Sequence, residues 1–192
     1  SFAFFIHNLA KGRKFVIQWG EMYDSLPQWL RDMRPLETRN ADRLVLKDTG
    51  ATLERSTAGG KGGARSSTYK VVIASEFPFW NAPDETRATI LGSMPNGLLI
   101  VESTANSFND HLHQLLQEED NVYRRVFIPW YKHQDFRKTA PPGWQASISD
   151  LDYARVHGLD SEQVYWKVRK RQEIGEVKFQ REYPATIDEA YS

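Results

Sequence analysis

Apolar residues in this chain fall into short unbroken runs, joined by segments in which they recur at helical spacing. Phe2-Ala3-Phe4-Phe5-Ile6 is continuous apolar sequence, the pattern of a strand covered on both faces. Asn8 stands where a helix cap belongs. Phe15, Trp19, Met22, Tyr23 and Leu26 then recur on one face, which predicts a helix packed through those side chains. Pro27 breaks that helix or opens a short next one, and Pro35 ends the region. Residues 43–47 and 51–55 read as short strands around Asp48-Thr49-Gly50, a hairpin signal.

The central run is Tyr69-Lys70-Val71-Val72-Ile73-Ala74-Ser75-Glu76, preceded by Gly59-Gly60-Lys61-Gly62-Gly63 and followed by Phe77-Pro78-Phe79-Trp80. A β-branched run bounded by Gly and Pro predicts a buried strand of a mostly parallel sheet, here stopping at a hydroxyl and a carboxylate. Residues 84–93 read as a helix, and Pro95-Asn96-Gly97 turns the chain into a second run, Leu98-Leu99-Ile100-Val101. That run also ends in polar residues, Glu102-Ser103-Thr104-Ala105-Asn106. Ligands of open α/β sheets bind at the carboxyl ends of strands. Glu76 alone is readable as a strand-end acid facing water; two such ends side by side predict a shared crevice of the kind that handles nucleotides.

Further on, Phe108, Leu112, Leu115 and Leu116 predict an amphipathic helix over 107–119, and Val126-Phe127-Ile128 one more strand ending at Pro129-Trp130. Pro141-Pro142-Gly143 marks a boundary. Beyond it Asp160 and Gln163 have the spacing of a capping box, on a helix carrying Lys167, Arg169, Lys170 and Arg171. Such a charge run is ordinarily a solvated face; a nucleic-acid contact is the sharper alternative.

Composition narrows these readings. The 192 residues suffice for one α/β domain and a small appendage. Net charge is zero, so no overall basic field announces nucleic acid, and such a contact needs a local patch. Without cysteine, disulfides and thiolate metal sites are excluded and a reducing compartment is expected. His7, His111, His113, His133 and His157 show no metal-ligand spacing. No stretch approaches the roughly 20 apolar residues of a membrane span, and no signal peptide is recognisable. The chain opens inside a core strand, with only Ser1 before it, as a piece of something longer would. The glycine segment does not fit the phosphate-cradling loop, G-x-x-x-x-G-K followed by Ser or Thr: Gly62 follows Lys61, and no Gly stands five residues before Gly60. It reads as a flexible connection whose Lys61 and Arg65 are candidate phosphate or DNA contacts.

Taken in order, these pieces resemble the ATPase half of the tailed-phage terminase large subunit, the motor that packages DNA into capsids. The resemblance runs along nearly the whole chain. It begins with Phe5-Ile6-His7-Asn8, Leu26-Pro27 and the glycine segment with Ala64-Arg65, then Ile73-Ala74-Ser75-Glu76 with Trp80. It continues through Glu102-Ser103-Thr104-Ala105-Asn106, Phe127-Ile128-Pro129-Trp130, and Gly158-Leu159 with Gln163 and Trp166. It closes on Gln180-Arg181-Glu182-Tyr183-Pro184 and Glu189-Ala190. Each piece is short; their fixed order makes the likeness specific.

The resemblance implies a P-loop NTPase core of the ASCE, RecA-like kind: a mostly parallel sheet flanked by helices, with a C-terminal lid and linker. Residues 1–140 would be a partial ATPase core and 141–192 the lid and linker, leading towards a nuclease domain. Glu76 would be the catalytic Walker B glutamate that orients the water attacking the γ-phosphate. Ser103, Thr104, Ala105 and Asn106 would be the coupling motif that senses that phosphate. The implied cofactors are ATP and Mg2+. The implied partners are double-stranded DNA, a portal protein, a small terminase subunit and further copies in a ring, without membrane, in the host cytoplasm at the procapsid portal vertex. Arg65 would face DNA or act in trans.

Two departures accompany the likeness. Ser75 replaces the usual magnesium-binding Asp, a variant some terminases resemble; a hydroxyl holds a metal-bound water without adding charge. The phosphate loop would precede Ser1, so the isolated chain is expected to be inactive. Asp150, Asp152, Asp188 and Glu189 read as solvated helix-cap acids and not as nuclease ligands. A non-catalytic DNA- or partner-binding module derived from the same fold is the competing reading, favoured by Ser75 and opposed by Glu76. A helicase-like ATPase is opposed by Glu182-Tyr183-Pro184.

Overall fold

The computed structural model describes residues 1–6, 9–58, 68–118 and 122–192. The chain divides into two compact units, Ser1–Ser103 and Thr104–Ser192, with the Pro141–Gly143 turn inside the second.

Among its described residues the first unit forms a sheet of six strands. The all-apolar β1 (Phe2–Ile6) lies inside it, parallel to β4 (Thr52–Thr57) on one side and β5 (Val71–Ser75) on the other. β6 (Leu98–Glu102) adds parallel to β5. β2 (Leu36–Arg39) and β3 (Arg43–Leu46) attach antiparallel beyond β4, giving the order β2-β3-β4-β1-β5-β6. The sheet is thus mixed and mostly parallel, flanked by helices. The expected hairpin at Asp48-Thr49-Gly50 joins β3 to β4, with Gly50 at a positive φ of 63°. β2 is a strand that hydropathy does not reveal: Leu36-Glu37-Thr38-Arg39 has one apolar side chain and owes its conformation to pairing with β3.

α1 (Leu9–Asp24) follows β1 and covers it. The Phe15 ring lies 4.3 Å from that of Phe4, and Trp19 meets Phe2 and Phe4 edge-on at 5.5 and 5.9 Å. The inward stripe is Gly12, Phe15, Val16, Trp19, Gly20 and Tyr23, rotated from the expected one, so Met22 is 65% exposed; Leu26, 37% exposed, lies beyond the helix end. Arg39 packs on this stripe. It lies across Gly20, where a Cβ would stand 3.0 Å from its guanidinium, and makes two 2.6 Å hydrogen bonds to Asp24. The cap expected at Asn8 lies outside the described residues. On the opposite face, Phe5 meets Tyr69 edge-on at 6.0 Å, and Phe77 and Trp80 fill the space beside it. α2 (Gln28–Met33) and α3 (Pro83–Gly92) complete this unit; α3 opens on Pro83 with Asp84 and Glu85 in its first turn, where a helix favours Pro and acids.

The second unit is helical: α4 (His111–Gln117), α5 (Ile148–His157), α6 (Ser161–Ile174), α7 (Glu176–Glu182) and the short α8 (Ile187–Ala190). Its core gathers Trp130, Phe179 and Ala185 with Phe136, Tyr153, Leu159, Trp166 and Tyr183. Trp130, Leu159, Trp166 and Tyr183, four of the residues that carry the resemblance, are therefore packing residues. Asp160 and Gln163 form the expected capping box, and the Gln163 amide also donates to the Tyr131 carbonyl at 2.9 Å. Gly158, at φ 66°, ends α5 in the left-handed conformation.

Several expectations are corrected. Val126-Phe127-Ile128 is not a strand: Val126 and Ile128 are 74% and 75% exposed, and no described strand pairs with them. A strand is made by its partner, whatever its own propensity. The helix expected over 107–119 is confined to His111–Gln117, because Asp110 caps it and leaves Phe108 outside. Asp150 is not a solvated acid and Lys167 is not on a solvated face. Both are buried, with Lys167 Nζ 2.9 Å from Asp150 Oδ1 and 4.1 Å from the centre of the Tyr153 ring.

Candidate functional site

The carboxyl ends of β1, β5 and β6 point the same way, since these strands are parallel. From β1 the chain runs through α1 and α2 to β4 on one flank; from β5 it runs through α3 to β6 on the other. The direction of winding therefore reverses between the carboxyl ends of β1 and β5, the position at which open α/β sheets form their ligand crevice. Glu76 is the first residue after β5.

Its backbone is unusual. Glu76 has φ 59° and ψ 37°, a left-handed conformation that few residues with a side chain adopt. Three contacts hold it there. The Glu76 N–H donates to the Glu102 carbonyl at 2.9 Å, its own carbonyl accepts the Phe79 N–H at 3.0 Å, and the Trp80 indole N–H donates to the Ser75 carbonyl at 2.9 Å. Trp80 is buried against Phe5 and Phe77, so the aromatic core behind the sheet fixes the turn. Residues with a side chain that are held in this region cluster at functional sites. Glu76 is half-buried, so its carboxylate is open to a hydrogen bond from water. Glu76→Gly is expected to be about 1 kcal/mol more stable than Glu76→Ala, since glycine enters this conformation without a Cβ clash. Chemical denaturation of the two variants checks this, and equal midpoints would show that the turn stores no strain.

Ser75, buried at the end of β5, pairs in register with Glu102 on β6. Glu102 is exposed and puts a second carboxylate at this end of the sheet, a residue not singled out by motif reasoning although it opens the Glu102–Asn106 run. Among the described residues no group of three or more His, Cys, Asp or Glu side chains could hold a metal ion.

Ser103 ends the first unit, and its hydroxyl oxygen is buried without a hydrogen-bond partner among the described residues. Thr104, Ala105 and Asn106 open the second, with Thr104 exposed, Ala105 buried and Asn106 half-buried. Asp110 fixes this segment: its carboxylate accepts the N–H groups of Asn106 at 2.9 Å and Ser107 at 3.1 Å, as well as that of His113 at 2.8 Å. An Asp just before a helix was the available signal for it, but a cap is common and says nothing of what else it binds. Lys61 and Arg65 lie outside the described residues. No helix among the described residues is long and apolar enough to cross a membrane.

No protein-family model matches the chain, and no curated protein sequence matches it.

Proposed function

We propose that these residues are part of the ATPase motor of a tailed-phage terminase large subunit, which drives double-stranded DNA into the procapsid by hydrolysing ATP. The observation that carries the proposal is Glu76, held in a left-handed turn where the winding of a mostly parallel sheet reverses. A carboxylate fixed there can align a water with the γ-phosphate and take up its proton as the bond to phosphorus forms. Among the described residues the buried Ser103 hydroxyl oxygen has no partner, and a phosphate oxygen brought to it would supply one, which supports a sensing role for Ser103–Asn106.

The proposal extends to a P-loop NTPase core. Among the described residues two apolar segments lack a strand partner: the outer edge of β6, where Leu98 is 57% exposed, and Val126–Ile128 in the second unit. Parallel strands are ordinarily covered on both sides. A phosphate-loop strand from outside residues 1–192 would pair with such an edge. The working protein would then use ATP and Mg2+, grip the DNA backbone without reading sequence, and act as a ring with a portal protein and a small subunit at the procapsid vertex in the host cytoplasm.

Magnesium-dependent ATP turnover is the test, in a longer subunit containing residues 1–192 and in its Glu76→Gln variant. The variant is expected to lose about 10²–10⁴-fold in turnover; unchanged turnover would sink the role of Glu76. The 192-residue chain alone is expected to be inactive. Turnover by it that Glu76→Gln abolishes would place a phosphate cradle within these residues and overturn the reading of them as a partial core. Inactivity of the longer subunit, with DNA binding retained, would favour the non-catalytic module, to which the neutral Ser75 already inclines.

A further inference from the structure

The segment that opens the second unit is tied to its last residues by a continuous series of contacts. Asp110 stands at one end, its buried carboxylate holding the backbone of Asn106 and Ser107. These are charge-assisted bonds to a buried carboxylate, so they are the strong links. His113 carries the series on. It donates its backbone N–H to Asp110, and its ring Nδ1 accepts the N–H of Asn109 at 3.0 Å. Asn109 is itself left-handed, at φ 61°, and that bond helps to keep it so. The His113 ring then stacks on Tyr191, with centres 4.2 Å apart and planes 20° from parallel. Tyr191 is buried at the end of α8. Burial, with the Asp110 carboxylate nearby, pushes its hydroxyl above the usual tyrosine range, so the stacked ring stays neutral. The ring stack is the weakest link, and the only one made between side chains alone.

We propose that Asp110, His113 and Tyr191 are positioning residues that latch the Thr104–Ser107 segment to α8, so that the segment and the C-terminal turn loosen or tighten together. The proposal rests on the reading of Ser103–Asn106 as a coupling motif for its meaning in a motor. For its mechanics it rests on the contacts within the second unit. It gives the C-terminal turn a task beyond closing the fold: a shift that releases Asn106 from Asp110 would free the His113 ring and with it Tyr191.

Amide hydrogen exchange of the 192-residue chain without nucleotide tests the latch. Tyr191→Leu keeps an apolar side chain in the buried position and removes the stack. The Asn106 and Ser107 amides are expected to exchange about tenfold faster in it, while the Val168 amide in α6 keeps its protection. His113→Leu removes the other ring and is expected to give the same local pattern. Tyr191→Phe, which keeps the ring, should return exchange to within about twofold of the parent. Unchanged exchange at Asn106 and Ser107 in both leucine variants overturns the latch. So does equal acceleration at Val168, which would mark a general loss of packing. Because no nucleotide enters the measurement, its failure leaves the ATPase reading standing, and a failure of ATP turnover leaves the latch standing.

Discussion

Lys167→Met is expected to destabilise the second unit by about 3–5 kcal/mol, because it strands a buried carboxylate. The Lys167 and Asp150 side chains are 6% and 4% exposed and meet at 2.9 Å. Without the ammonium, Asp150 keeps the Ser147 hydroxyl at 2.6 Å and two longer contacts to the Arg171 guanidinium at 3.4 Å, so the low end of that range is the more apt. Removing both charges, as Asp150→Leu with Lys167→Met, should recover most of the loss, since it is the unpaired ion that costs most. Denaturant unfolding followed on amide signals of α5 and α6 decides; equal stability of the single and double variants would sink the account. Acid offers a second handle. Burial pushes the Asp150 carboxyl up, but hydrogen bonds from Ser147 and Lys167 and the charges of Lys167 and Arg171 outweigh it, leaving it below the usual carboxylate range. A lowered pKa contributes stability above the unfolded value, about 3.9, that is lost as pH falls through the folded one. The parent should therefore weaken below about pH 4 more than the double variant does.

Phe179→Ala is expected to cost about 3–5 kcal/mol, by opening a cavity among rigid rings. Phe179 is fully buried, with Trp130 at 6.2 Å, Trp166 at 6.3 Å and Tyr183 at 5.6 Å between ring centres. Those neighbours cannot close the space. Trp166 is held flat between Trp130 at 5.1 Å and Phe136 at 4.7 Å, and rings so stacked have few other rotamers to take. Phe179→Leu, which fills more of the volume, should cost about 1.5 kcal/mol. Thermal unfolding of the three proteins reads the difference; a leucine variant no better than the alanine one would mean that ring contacts matter and volume does not.

What was legible in the sequence follows from how local each feature is. β5 and β6 announce themselves because apolar β-branched runs between Gly and Pro have few other fates, and their ends place Glu76 and Ser103 at once. The hairpin at Asp48–Gly50 and the box at Asp160 and Gln163 are set within a few residues and could be read directly. Features that need a distant partner could not. β2 exists through β3, Val126–Ile128 has no neighbour among the described strands, and α1 packs through a stripe other than its most regular apolar one. Asp150 and Lys167 look like surface charges because each is polar by itself; seventeen positions apart, nothing marks them as a pair. At the candidate site the position of Glu76 was legible, but not its left-handed backbone, which depends on Trp80 and on Glu102 across the sheet.

The central place of β1 has a consequence for biosynthesis. Phe2 pairs with Leu53 on one side and with Val71 on the other, so neither neighbour exists when β1 leaves the ribosome. At ordinary elongation rates the five residues Phe2–Ile6 wait on the order of 3 to 14 s for both partners to be translated. For that interval the most apolar segment of the sheet is a nascent-chain hazard and a ready substrate for a chaperone. Slowing translation between β1 and β5 would lengthen the exposure and lower the yield of folded protein.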